Sequence, residues 1–126
     1  MKKVFASIVT ATLLLLSMSV SADMAQVWQC QVEGDPTSDD FTALSEAYLE
    51  AAKEIDDSAT IRMYVPVAAA AESGSYIFAL YLPDFKSWGE FNDAYPGSKL
   101  AQIDQRWTNE LGPCEVSGLW STFDFE

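Results

Sequence analysis

The chain has 126 residues, of which 19 are acidic and 7 basic, with no histidine and two cysteines. Without histidine there is no Ser/His/Asp or Cys/His catalytic set, no histidine-ligated zinc or haem, and no imidazole base near neutral pH. The strong negative charge argues against nucleic acid and anionic membrane surfaces as partners.

Residues 1–22 have the make-up of a cleavable bacterial secretory signal. Lys2 and Lys3 give a positive start, Val4 to Leu16 is apolar, and Val20-Ser21-Ala22 supplies small residues for cleavage after Ala22. Ser7, Thr10, Thr12 and Ser17 interrupt the apolar stretch, which is short for a membrane span. The remaining residues, 23–126, form one domain with 19 acidic and 5 basic side chains, a net charge of −14, and 15 of the 16 aromatic residues. Its large rings favour a packed core. The expected location is the periplasm or the medium, with no membrane attachment after cleavage. In an oxidising compartment, Cys30 and Cys114 are expected to form one disulfide that closes nearly the whole domain. A redox pair would call for C-x-x-C spacing instead.

Val27 to Val32 alternates as a strand and ends at Gly34, Asp35 and Pro36. A helix follows: Thr37 and Asp40 fit a capping box, and Phe41, Leu44, Tyr48, Leu49, Ala52 and Ile55 share one face. Ala59 to Val67 is a half-buried strand with Ile61, Met63, Val65 and Val67 on one side. A connection through residues 68–74 leads to a more deeply buried strand, Ser75 to Leu82, and the two strands make a hairpin. Pro83-Asp84 stops that strand and caps a helix bearing Trp88, Phe91 and Tyr95. Pro96-Gly97 interrupts, and a further helix from Ser98 carries Leu100, Ile103, Trp107 and Leu111 up to Gly112-Pro113. Cys114 to Phe125 is the last strand.

This order gives an α+β, ferredoxin-like β-α-β-β-α-β fold: a four-stranded antiparallel sheet with helices on one face. Its first and last strands are antiparallel neighbours, which brings Cys30 beside Cys114. The order, the hairpin ending in Tyr81-Leu82-Pro83-Asp84-Phe85 and the helix opening Phe85-Lys86-Ser87-Trp88-Gly89-Glu90-Phe91 resemble the dimeric α/β-barrel superfamily, which includes antibiotic-biosynthesis-type monooxygenases. The chain resembles a secreted relative of that group. The resemblance implies a homodimer of paired sheets and a ligand held between sheet and helices. The missing histidine departs from the haem-binding branches.

The sheet face without helices needs a partner, a ligand or its own side chains to cover it. Strand parity assigns to it Gln29 and Gln31, then Thr60, Arg62 and Tyr64, then Ser75, Ile77, Ala79 and Tyr81, then Ser117, Leu119 and Ser121. The ligand-binding candidates are Arg62, Tyr64, Tyr81, Gln29, Gln31 and Ser117. Arg62 is suited to a small organic anion through forked hydrogen bonds, although an arginine in so acidic a chain is commonly paired with an acid. Trp28, Trp88 and Trp107 read as packing, and Asn92 as solvent-facing. Asp35, Asp39 and Asp40, and Asp56 with Asp57, lack the ligand pattern of a calcium loop, so no metal is expected. The reading is an exported binding protein without a cofactor, acting through the open sheet face. The alternative is a cofactor-independent monooxygenase or isomerase in which Arg62, Tyr64 and Tyr81 polarise a substrate; the catalytic base is unidentified, and whether the chain is an enzyme stays open.

Overall fold

A computed structural model of the chain describes residues 23–67 and 74–123. The secretory-signal reading of residues 1–22, residues 68–73 of the hairpin connection, and the last residues of the expected final strand lie outside the described residues.

Seven elements follow in the order β1 (Asp23–Gln31), α1 (Ser38–Ile55), β2 (Thr60–Tyr64), β3 (Ser75–Leu82), α2 (Phe85–Ala94), α3 (Lys99–Glu110) and β4 (Cys114–Thr122). The strands form one antiparallel sheet in the order β2-β3-β1-β4, the ferredoxin-like arrangement. Relative to the sequence reading, β1 begins four residues earlier, and β2 stops at Tyr64, which leaves Val65 and Val67 exposed rather than packed inward.

Local chemistry sets each helix start. Thr37 and Asp40 form the reciprocal capping box of α1, Asp84 Oδ1 accepts from the Ser87 amide at α2, and Ser98 Oγ accepts from the Ala101 amide at α3. Each cap satisfies an amide that the first helical turn leaves without a partner.

The helices lie on one face of the sheet, and the core forms between the two layers. Leu44, Tyr48, Ala52, Leu100, Ile103 and Trp107 meet Cys30, Tyr76, Phe78, Leu80 and Leu82 there. Phe78 is the hub of the rings: its centroid is 4.9 Å from those of Tyr48 and Trp107 and 5.8 Å from that of Trp28. These tilted and edge-on contacts suit ring quadrupoles and favour one arrangement over a fluid one.

At the far end of the core, Cys30 pairs with Cys114 across β1 and β4 as a disulfide. Along β4 the sequence parity fails. The register with β1 shifts between Val27 and Trp28: Trp28 faces Val116 and Val27 faces Gly118, so Ser117 is an extra residue, a β-bulge. Beyond it Leu119 and Ser121 pair with Gln26 and Met24 on the helix side, and Trp120 takes the open side opposite Ala25. The expectation that Leu119 and Ser121 belong to the open face is therefore corrected; one inserted residue reverses every side chain after it.

Candidate functional site

Among the described residues, two places gather polar groups among rings. The first is the open sheet face. Pairing of β2 with β3 sets Arg62 opposite Ala79, Tyr64 opposite Ile77, and Thr60 opposite Tyr81. The small Ala79 lets Arg62 lean over the neighbouring ring, and its guanidinium carbon lies 5.5 Å from the Tyr81 ring centroid. Tyr64 and Tyr81 join hydroxyl to hydroxyl at 2.7 Å. Burial first, then the hydrogen bond with Tyr64 and its nearness, pushes the Tyr81 phenol up to about 12. The hydrogen bond with Tyr81, with Arg62 nearby, holds the Tyr64 phenol below its ordinary value. Arg62, Tyr64 and Tyr81 are thus brought together as a chain of contacts.

Among the described residues no ion pair includes Arg62, whereas Lys86, Lys99 and Arg106 each pair with glutamates. The usual fate of an arginine in an acidic chain is not seen here. Gln29 lies opposite Ile77 and Gln31 opposite Ser75, one and two steps along the same face. Gln29, Tyr64, Ser75 and Ile77, with Val65 and Pro66, line a shallow recess of about 370 Å³. Ser117 stands apart in the bulge, where its hydroxyl donates to the Val27 carbonyl at 3.1 Å. Trp120, 58% exposed, also belongs to this face, where the bulge turns it opposite Ala25.

The second place is a cleft between sheet and helices. Two recesses, of about 230 and about 200 Å³, share Trp28, Tyr48, Tyr95 and Asp104 in their walls. The first is completed by Phe78, Trp107, Thr108 and Cys114, the second by Gln26, Asn92 and Val116 among others. Asp104, on α3, accepts a hydrogen bond of 2.5 Å from the Tyr95 hydroxyl. Removal from water pushes its carboxyl above the usual carboxylate range, and the Tyr95 bond offsets this only in part. Among the described residues no ion pair includes Asp104. Burial first, then the nearness of Asp104 and Tyr95, holds the Tyr48 phenol well above its ordinary value. Around the cleft, Trp88 Nε1 donates to Gln26 Oε1 at 3.0 Å and Asn92 Nδ2 to the Trp88 carbonyl at 2.8 Å. Asn92 is therefore a half-buried wall residue, contrary to the solvent-facing reading.

No protein-family model matches the chain, and no curated protein matches it in sequence. Solved structures match it in shape. The Arabidopsis thaliana protein At3g17210 superposes with a TM-score of 0.57 at 8% identity, over 82% of this chain and 96% of that one. A variant of SnoaB, a cofactor-independent oxygenase from Streptomyces nogalater, gives 0.55 at 13% identity, over 82% and 96%. A dimeric ferredoxin-like protein of unknown function from Thermobifida fusca gives 0.53 at 12%, over 81% and 92%. The chain shares their ferredoxin-like fold. The likeness drawn from element order and the strand-to-helix stretch at residues 81–91 thus holds at the level of fold, and it spans nearly the whole length of each counterpart.

The open-face cluster was legible in the sequence because β2 and β3 alternate without interruption. The cleft was not. No local pattern joins Asp104, Tyr95, Tyr48 and Gln26, although the sequence holds one signal for them: Asp104 sits between Leu100 and Trp107 on the stripe of α3 that carries its buried residues. A lone acid on an apolar stripe needs a partner or a ligand.

Proposed function

We propose that this is an exported, non-enzymatic binding protein that docks a second copy through its open sheet face and holds a small organic ligand in the sheet–helix cleft. The observation that carries the ligand half is the cleft itself: rings on several sides converge on one carboxylate that has a tyrosine donor and, among the described residues, no cation. Few, convergent polar groups in a ring-lined hollow are the usual make-up of a small-molecule site.

The second copy is supported by the uncovered face. Tyr64, Ile77 and Trp120 are 47%, 38% and 58% exposed there, and a sheet of this kind is stabilised by cover. A counterpart of the same fold is described as dimeric. In this reading Arg62, Tyr64, Tyr81, Gln29 and Gln31 lie at the interface, with the recess beside Tyr64 closed by the second copy. Such a recess would admit a small organic anion beside Arg62. Export is supported by the N-terminal pattern and by a disulfide, which suits an oxidising compartment. Among the described residues no helix is long and apolar enough to cross a membrane.

Native mass spectrometry of the mature protein, purified from an exporting host, tests both halves. A dimer with a co-purified small molecule is expected. A bare monomer at every micromolar concentration tried would overturn the proposal. Arg62→Ala is expected to weaken self-association by about tenfold, as loss of an interface arginine commonly does; an unchanged dimer removes Arg62 from the interface.

A second reading, a cofactor-independent oxygenase or isomerase, is favoured by one observation. The Asp104 carboxyl, raised by burial and held by Tyr95, has the setting of a proton acceptor. Substrate-dependent oxygen uptake or isomer formation that is lost in Asp104→Asn would establish it over simple binding.

A further inference from the structure

From the walls of the sheet–helix cleft we infer that its ligand is an organic ammonium ion, with Asp104 as counter-ion and the surrounding rings as its cage. This deepens the binding role proposed above and rests on it. The argument begins with what the walls contain. Trp28, Tyr48, Tyr95 and Trp107 present ring surface to the first recess, and among the described residues neither recess has a lysine or arginine in its wall. Ring faces carry negative charge density and attract cations, most strongly where water is excluded.

Asp104 gives the second reason. A half-buried carboxylate is normally neutralised by a fixed cation, yet all three cations on α2 and α3 are engaged elsewhere: Lys86 with Glu90, Lys99 with Glu50 and Glu54, and Arg106 with Glu110. Tyr95 supplies one neutral hydrogen bond and no charge. A ligand carrying a positive charge completes the set, whereas a carboxylate or phosphate would meet Asp104 and the field of a chain with 19 acidic side chains. Size is the third reason. Recesses of about 230 and 200 Å³ suit a substituted ammonium head with a short tail, and the two meeting at Tyr95 and Asp104 leave the tail its own compartment.

The test uses three probes of matched shape on the full mature protein: choline, its neutral isostere 3,3-dimethyl-1-butanol, and 3,3-dimethylbutyrate. Binding is followed by tryptophan fluorescence and by the indole N–H signals of Trp28 and Trp107. Choline is expected to bind at least about tenfold more tightly than the neutral isostere, and the anion not measurably. Asp104→Asn, with its folding checked by thermal melting, is expected to remove most of choline's advantage while leaving the neutral isostere's affinity within about twofold. Equal binding of choline and its isostere, or an unchanged advantage in Asp104→Asn, overturns the ammonium assignment but leaves the cleft a ligand site. Preferred binding of the anion overturns it likewise. If no probe moves either indole signal at millimolar concentration, the assignment falls, and the co-purified mass from native spectrometry alone decides whether the cleft binds anything.

Discussion

Asp104 is a carboxylate held in a half-buried, ring-lined setting, and its electrostatics have a definite sign. Because burial raises its pKa in the folded state, the native protein binds that proton more tightly than the unfolded chain does. Its stability contribution is therefore fully present at low pH and is lost as pH rises from the ordinary aspartate value through the folded one. Asp104→Asn is expected to raise the melting temperature at pH 7, with the gain shrinking toward zero below pH 4; a mutant destabilised at pH 7 would mean the charge is stabilising. Tyr95→Phe removes the donor and is expected to move the Asp104 titration higher, as read from its carboxyl signal by NMR. At this scale the sequence was uneven in what it disclosed. Arg62, Tyr64 and Tyr81 could be grouped from strand alternation, because a period of two leaves no choice of side. Tyr95 and Asp104 come from different segments, and their meeting depends on how the turn at Pro96-Gly97 folds α3 against α2, which no local pattern specifies.

The elements were legible where local chemistry decides them. The capping box at Thr37 and Asp40, the Asp84 and Ser98 caps, and the whole of β3 stand where side-chain type and spacing put them. Replacing Ser98 by Ala is expected to cost about 1 kcal/mol in chemical denaturation, the usual worth of an N-cap. Ends and bulges were less legible, because they depend on neighbours distant in sequence. The bulge at Ser117 depends on how β4 must run to bring Cys114 onto Cys30 while pairing Trp120 with Ala25, a condition set by β1. The link from α3 to β4 shows the same dependence. Gly112 has φ +120°, and a Cβ there would stand 2.1 Å from the Gln31 carbonyl oxygen. That closeness lets the Gln31 amide reach Pro113 and the Glu33 amide reach Leu111, both at 3.0 Å. Gly112→Ala has to break this seam, and a loss of roughly 3 kcal/mol or more is expected by denaturant titration; a near-neutral substitution would show that the link can move aside.

Across the whole molecule, charge and covalent closure matter most. Two copies of so acidic a chain repel at long range, so the proposed dimer is expected to tighten as salt is raised from 10 to 150 mM, where screening shortens from about 30 to about 8 Å. Sedimentation equilibrium reads this directly, and a dimer that loosens with salt would point to an interface held by ion pairs. The disulfide spans 84 residues of sequence, and on the chain-entropy view it is worth about 4 to 5 kcal/mol. Cys30→Ser with Cys114→Ser is expected to lower the melting temperature by roughly 15 °C or more. The position of this bond also decides how the protein responds to tension. Asp23 and Thr122 are partners at the same end of β1 and β4. Force applied through the two ends therefore opens those strands one rung at a time, as a zipper opens. The opening reaches Cys30 and Cys114 and stops. Helices α1, α2 and α3 and most of the core lie inside the closed ring and carry no load while the sulfur bond survives, whereas Gln26, Trp28 and Val116 of the cleft wall lie on the rungs that open.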